Sequence, residues 1–547
     1  MKESSIMVRQ QNFTTAILFS AAAAATAASA YIYYMRSLSR RTSITSLAEL
    51  HQAVNSARVL EYMLGQEYAV RIQRTGKDEA ELLEIPVQDL LRLSVVLELG
   101  LPGHRIAQLQ PQACQLRSLR SLDLSGNKLT MLPPEINGLG CLEDLNLGRN
   151  CIVRLPAEIG GLQKLRLLNL MANHLVSLPQ EICNLTRLYR LGLKGNQLTH
   201  LPDNFGILSS LVELFITDNA LTALPESICS CTSLVKLQAS FNKLSTLPAG
   251  LGSLPKLELL RVACNCLQEV PEELSGGQSI AWVSLAGNPC CASPPPHRRE
   301  IQEVSVDALG MGASLGEGAS GDVFAATMGG KEVAVKLFKG EVSPDGRAAD
   351  EVDVTCSVDH PNLTKVLAAI EEPHALVLER VAGQPLAQKP NLQVLLRCRW
   401  APGLEFRAAW IAGVAHGVAS ALAYLHAHCI CHGDVYAHNI LVGETAHPVL
   451  LDYGASFFYK PGTVSHETQE VRAFGLFLSD LLARMDACDN DSLASTALEG
   501  IRAACLNSTP AERPRFRQIA SHCHSVLEVQ SAGGPGVLAS PSKLGRL

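Results

Sequence analysis

Asparagine recurs at one constant interval through the middle of this chain, at Asn127, Asn150, Asn173, Asn196, Asn219, Asn242, Asn265 and Asn288. Pro133, Pro156, Pro179, Pro202, Pro225, Pro248 and Pro271 keep the same period of twenty-three. Ahead of the asparagines runs an L-x-x-L-x-L frame, as in Leu119, Leu122 and Leu124. Chance does not hold such a register through eight turns. One degenerate copy precedes them, with Val96, Leu99 and Leu101, and His104 in the asparagine's place. The pattern predicts short coils whose strand leucines alternate inward. The asparagine side chain satisfies backbone groups at each turn, and neighbouring coils stack to share one core.

The motif L-x-x-L-x-L-x-x-N-x-L-x-x-L-P resembles the leucine-rich repeat, and a repeat of this length with Leu-Pro is similar to its intracellular class. The leucines and asparagines are then framework, and function falls on outward strand positions of the concave face. These include Lys236 and Arg261. Arg166, Tyr189, Arg190, Phe215 and Trp282 are the leading candidates for contact with a protein partner, since they mix charge with aromatic area.

The chain has 547 residues, room for three or four domains at about 150 residues each. A net charge of −6 argues against nucleic acid as a partner. Seventeen cysteines, odd in number and scattered, fit free thiols in a reducing compartment. No charge interrupts 10–35, and the stretch 16–35 is long enough to span a bilayer as a helix. Tyr31, Tyr33 and Tyr34 followed by Arg36, Arg40 and Arg41 fit a membrane anchor with the rest of the chain on the cytoplasmic side. A transit peptide to an organelle, a secretory signal cut near Ala30 and a soluble cytoplasmic chain are the alternatives. No other stretch reads as a membrane span.

A second constellation begins at Leu315-Gly316-Glu317-Gly318-Ala319-Ser320-Gly321-Asp322-Val323. G-x-G-x-x-G alone is weak, but Lys336 follows Gly321 closely, in Val333-Ala334-Val335-Lys336. Glycines let a backbone approach phosphates, and a strand-borne lysine can then reach them. Glu351 lies shortly before His360, and Leu376-Val377-Leu378-Glu379-Arg380-Val381 follows, similar to the kinase hinge. His432-Gly433-Asp434-Val435-Tyr436-Ala437-His438-Asn439 and Asp452-Tyr453-Gly454 complete the set. Together these resemble the protein kinases, aligning with V-A-I-K, H-R-D-L-x-x-x-N and D-F-G.

The resemblance implies ATP and Mg²⁺ as cofactors and a protein substrate. It implies a nucleotide site of Leu315, Gly316, Gly318, Gly321, Val323, Lys336, Glu379, Val381 and Leu441, with Leu378 as gatekeeper. Lys336 would hold the α- and β-phosphates and pair with Glu351. Asp452 and Asn439 would bind magnesium, and Asp434 would orient the acceptor hydroxyl and take its proton.

Three departures from that pattern stand out. Gly433 replaces the arginine that in the family often clamps a phosphorylated activation loop. Tyr436 stands where Ser/Thr-type kinases usually carry lysine and many tyrosine kinases alanine; the reading leans to Ser/Thr. Asp452 and Glu470 are unusually close in sequence, with no Ala-Pro-Glu motif between them. The substrate-docking loop is thus largely missing, and Arg513 has lost its usual glutamate unless Glu467 or Glu470 substitutes. The hydroxyls of this segment are Ser456, Tyr459, Thr463, Ser465 and Thr468.

The expected architecture is an α/β leucine-rich-repeat solenoid followed by a two-lobed α+β protein-kinase-like domain. Its parts are an anchor or targeting segment (1–41), a helical lead-in (42–94), repeats (95–291), a proline-rich linker (292–304), the kinase domain (305–527) and a disordered tail (528–547). The leading function is an ATP-dependent protein kinase with the repeats as a partner- or substrate-binding module. The alternative is a pseudokinase scaffold that binds nucleotide and partners without catalysis. A receptor with a membrane span between repeats and kinase is excluded, because 289–314 contains none.

Overall fold

The computed structural model describes residues 41–44, 67–71, 95–294 and 301–532, apart from 319, 344, 373, 391–394, 444–446, 464 and 490–491. The anchor segment 16–35, the helical spacing over 47–63 and the tail from 533 lie outside the described residues. The chain divides into two compact units, Met1–Asn169 and Leu170–Leu547.

In the first unit, β1 (Arg41–Ile44), β2 (Glu67–Arg71), β3 (Val95–Gly100), β4 (Ser121–Asp123), β5 (Asp144–Asn146) and β6 (Leu167–Asn169) pair in parallel in chain order. The lead-in 42–94 was expected to be helical, but its described residues are strand. Backbone donors and acceptors left along the edge of β3 are satisfied by Glu67–Arg71, which pairs in parallel with it. The asparagine ladder acts as its chemistry requires. The Asn127 amide donates to the carbonyls of Leu101 and Leu124, both at 2.8 Å, and its oxygen accepts from Ile106 N–H at 3.0 Å. His104, in the degenerate copy, bonds only locally to Pro102 O at 2.9 Å among the contacts of its ring.

The second unit opens with the same device. β7 (Arg190–Gly192), β8 (Glu213–Phe215), β9 (Lys236–Gln238), β10 (Leu259–Arg261) and β11 (Trp282–Ser284) pair in parallel. Leu191, Leu193, Leu214 and Leu237 are fully buried. The Leu-Pro of each coil has a local cause. Pro179 and Pro225, with φ of −67° and −65°, precede one 3₁₀ turn each, where proline's fixed φ suits the entry. Just before each asparagine the chain turns left-handed, at Ala172, Gly195, Asp218, Phe241, Cys264 and Gly287, with φ from +53° to +72°. Only glycine adopts this without cost. Ala172 is exposed and carries φ +53°. Ala172→Gly is therefore expected to raise stability by up to about 1 kcal/mol, read as a higher urea midpoint.

From residue 301 the unit changes character. A six-stranded sheet has the order β12 (Gln302–Glu303), β18 (Val366–Ile370), β19 (Ala375–Glu379), β15 (Lys331–Phe338), β14 (Gly321–Met328), β13 (Leu309–Glu317). The short hairpin β16 (Val342–Ser343) and β17 (Gly346–Arg347) leads into helix α2 (Ala348–Ser357); α1 is a single turn, Glu272–Ser275, in the last repeats. The expected linker 292–304 thus contributes an edge strand, since Gln302–Glu303 pairs with Ala368–Ala369. Val333, Val335, Ala368, Ile370 and Val377 form the core of this lobe.

The helical lobe is built on α3 (Ala408–Ala427), α4 (Ser465–Leu482), α5 (Leu493–Cys505) and α6 (Phe516–Ala532). α6 continues beyond residue 527, where the tail was expected to begin. Among the described residues α3 is one helix long and apolar enough to cross a membrane, which the sequence reading had not counted; it is mostly buried as the central helix of this lobe. The lobe's core takes in Leu259, Ala281 and Trp282 of the repeats together with Trp410, Leu422, Val435 and Phe474. The last coils and the helical lobe therefore share one apolar core. All seventeen cysteines lie among the described residues, and no disulfide joins any of them.

Candidate active site

The hairpin β13–β14 and strands β15 and β19 frame a cleft of about 310 Å³, a size typical of the smaller ligand sites. Leu315, Gly316, Gly318, Gly321 and Val323 line it from the glycine-rich hairpin, Lys336 from β15, Glu351 from α2, and Leu378, Glu379 and Val381 from the strand that follows. Asn439, Leu441 and Asp452 line it from below. Lys389 and His438 also line it, though neither stands among the expected site residues. Lys389 belongs to no motif, so no local pattern signals it. A larger apolar groove, about 760 Å³ between α5 and α6, contains none of these residues.

Lys336 is the hub. Its ammonium is ion-paired with Glu351 and lies 3.2 Å from Asp452 Oδ1. Burial disfavours that charge, but Asp452 and Glu351 outweigh it and hold the Lys336 pKa above its ordinary value. One ammonium cannot fully neutralise two carboxylates. Asp452 stays well below the usual carboxylate range, since Lys336 outweighs burial, whereas burial lifts Glu351 to about 7 against the same lysine. A raised folded-state pKa means the folded chain holds the proton more tightly, so stability is lost as pH rises from the ordinary 4.5 through about 7. The thermal midpoint of the wild type should accordingly fall relative to that of Glu351→Gln between pH 5 and about pH 7, then run parallel to it. A constant difference would contradict this.

Asp434 is the exception among the candidate residues, because it does not line the cleft. Its Oδ2 accepts from the Asn439 amide at 2.8 Å, and its Oδ1 is held by the guanidinium of Arg261 from β10. Arg261 also donates to Gly433 O at 2.8 Å and lies 3.1 Å from Asp345 Oδ1, so three groups around the catalytic loop converge on one repeat side chain that is 2% exposed. Beside it, Trp282 donates its indole N–H to Val435 O at 3.1 Å. Its ring stacks on Tyr436 at 4.4 Å, with 7° between the planes. This corrects the reading of Trp282 as a contact for an external partner. The residue faces outward from its strand, but the kinase loop already covers it, leaving 2% exposed. Arg166 is exposed, and Tyr189, Arg190 and Phe215 are half-buried, with Arg190 ion-paired to Glu213. Tyr436 is a stacking partner and does not report the acceptor type.

The short segment after Asp452 is held by a further set of contacts, some of them to the repeats. Ser456, Tyr459 and Thr468 are buried. Gln469 donates to Leu274 O at 2.9 Å and Arg472 to Ser279 O at 3.0 Å. Glu470 accepts from the backbone N–H groups of His432 and Gly433 and pairs with His426 at 2.8 Å. Glu467 pairs with Arg515. Neither glutamate therefore substitutes as the partner of Arg513. That guanidinium donates to three carbonyls instead, those of Thr468, Gln278 and Asn507, and burial lowers its pKa to about 10.

Comparison with known proteins places these features. The family model of the protein kinase domain matches residues 310–474, and that of the leucine-rich repeat matches 117–175 and 186–244. A probable LIM domain-containing serine/threonine-protein kinase of Dictyostelium discoideum is 24% identical over 269 residues, 42% of this chain and 40% of the relative. A probable LRR receptor-like serine/threonine-protein kinase of Arabidopsis thaliana is 32% identical over 182 residues, covering 32% and 28% of the two chains. An LRR receptor kinase of Oryza sativa subsp. japonica is 36% identical over 165 residues, covering 28% and 26%. The chain thus spans between 26% and 40% of the length of these curated relatives. A solved leucine-rich-repeat protein of Leptospira interrogans is 27% identical with a TM-score of 0.35, covering 45% of this chain and 71% of its own. The chain carries leucine-rich repeats followed by a protein kinase domain.

Proposed function

We propose that this chain is an ATP-dependent protein kinase acting on protein serine or threonine hydroxyls, with the repeats as a module for partners or substrates. The observation that carries the reading is the cleft. Lys336, Glu351 and Asp452 form one charged triad beneath a glycine-rich hairpin, and Asn439 lies on the same cleft. The site fits a magnesium nucleotide on two counts. Glu351 Oε2 is buried without a hydrogen-bond partner, so the triad has acceptor capacity to spare. Asp452 and the Asn439 amide oxygen are hard oxygen donors suited to magnesium. Among the described residues no three His, Cys, Asp or Glu side chains gather into a metal site of their own. An ion here would need phosphate oxygens as co-ligands, as magnesium commonly does.

In this reading Lys336 holds the α- and β-phosphates while Glu351 fixes the lysine's position. Asp452 and Asn439 supply the metal's protein ligands. The glycine hairpin lets its backbone close over the phosphates, and Asp434 orients the acceptor hydroxyl and takes its proton. Bound, the magnesium nucleotide supplies the transferable γ-phosphoryl group with its charge partly neutralised. The serine/threonine preference rests on the names of the relatives.

A second reading, a nucleotide-binding scaffold without catalysis, is favoured by one observation: both carboxylate oxygens of Asp434 are engaged within the chain. A carboxylate offers about four lone-pair sites, so these two bonds leave room for an acceptor hydroxyl. Attachment to a membrane through 16–35 remains part of the proposal. A fusion of 1–41 to a soluble reporter that stays in the supernatant would remove it. The kinase reading itself is tested by γ-phosphate transfer from Mg-ATP with the full chain.

A further inference from the structure

Gly433 and Arg261 are 172 positions apart in sequence and meet in the fold. Gly433 has φ +75°, and a Cβ at that position would lie 2.6 Å from Val283 O of β11 and 2.8 Å from Ala455 O. No arginine can stand at 433 while the repeat backbone approaches this closely. The cation that the kinase pattern carries at that position returns from the other side, because Arg261 reaches across from β10 to Asp434, to Gly433 O and to Asp345. Tyr436, which occupies the place of the family's second cation, is stacked beneath Trp282 and contributes no charge.

We propose that Arg261 is a positioning residue of the catalytic loop supplied by the repeats, one that orients Asp434 from across the fold where the loop itself carries Gly433 and no arginine. The proposal rests on the kinase reading and deepens it. The geometry favours positioning over blockade. The planar guanidinium fork holds a carboxylate oxygen and a neighbouring backbone carbonyl at once, which fixes the loop as well as the side chain. It leaves the second oxygen to Asn439, at 2.8 Å. The repeats would then do for the loop what a longer, ordered activation segment does elsewhere. This is consistent with the short path from Asp452 to Glu470 and with the burial of Ser456, Tyr459 and Thr468.

The test uses the full chain. Arg261→Gln should lower kcat at least thirtyfold while KM for ATP and the affinity for an ATP analogue stay within threefold. Unchanged analogue binding also shows that the variant has folded. Arg261→Lys should recover part of the loss, and guanidinium added to Arg261→Ala should restore turnover where sodium chloride of equal ionic strength does not. Turnover that is unchanged or raised in Arg261→Gln would overturn the proposal, the latter by making Arg261 a lock on Asp434. A second arm does not need activity. The thermal midpoints of Arg261→Gln, Asp434→Asn and the double variant should be non-additive, the double losing less than the sum of the singles. Additive losses would overturn the pairing. A wild type that binds nucleotide but transfers no phosphate would remove the kinase reading, and the clamp would then stand or fall on this coupling alone.

Discussion

Asp452→Asn leaves the chain folded and lowers phosphoryl transfer on the order of a thousandfold or more, with loss of the magnesium dependence of nucleotide binding. The size follows from the charge count at the cleft. Asp452 is a carboxylate held ionised against burial by Lys336, 3.2 Å away. The other carboxylate beside it, Glu351, is already ion-paired with the same lysine through one oxygen, leaving only its second oxygen unpartnered. An amide at 452 keeps the shape and removes the charge that a cation would bind. Lys336→Met removes the other half of the arrangement and strands two carboxylates, one of them 4% exposed, without their cation. It should abolish transfer as well, at some cost in stability that Asp452→Asn does not share. Comparing the two variants in one transfer assay, with melting curves alongside, checks both statements.

Trp282→Ala is expected to destabilise the unit by about 3–5 kcal/mol, the range for deleting a buried large aromatic side chain. The same substitution on a solvated face would cost within about 0.5 kcal/mol. The gap makes the measurement decisive between a surface residue and a core residue. Trp282 is 2% exposed, stacks on Tyr436, donates to Val435 O and belongs to the core cluster of the helical lobe. Arg397 adds a cation over the indole at 5.6 Å and is itself paired with Glu258 at 3.0 Å. Urea unfolding of the full chain, followed at the helical lobe, should show its midpoint shifted. A midpoint within error of the wild type would mean that the coils and the lobe do not share a core.

Much of this architecture was legible because it is written in local spacing. The constant period of the repeats determines which leucines turn inward and which asparagines close each coil, and the resemblance of the V-A-V-K, H-G-D-V-Y-A-H-N and D-Y-G stretches to the protein kinases picked out Lys336, Asn439 and Asp452 of the cleft. What could not be read was contact at long range. Strand alternation placed Arg261 and Trp282 on the outward face correctly, but it carries no information about what packs there. Both are covered by the loop around Asp434 and Val435, far downstream in the chain. Gly433 was visible as a departure from the family pattern. Its physical cause, a repeat carbonyl 2.6 Å from where a Cβ would stand, was not. Gln302–Glu303 escaped notice as a strand because so short a segment cannot show alternation.

Catalysis by the intact chain is the property on which the kinase assignment rests. The deciding measurement is the rate at which full-length protein transfers labelled γ-phosphate from saturating Mg-ATP to serine or threonine in protein, with Asp452→Asn as the blank. Transfer well above the blank is expected. Transfer equal to the blank, from wild-type protein that demonstrably binds the nucleotide, would contradict the kinase assignment and leave a nucleotide-binding scaffold in its place.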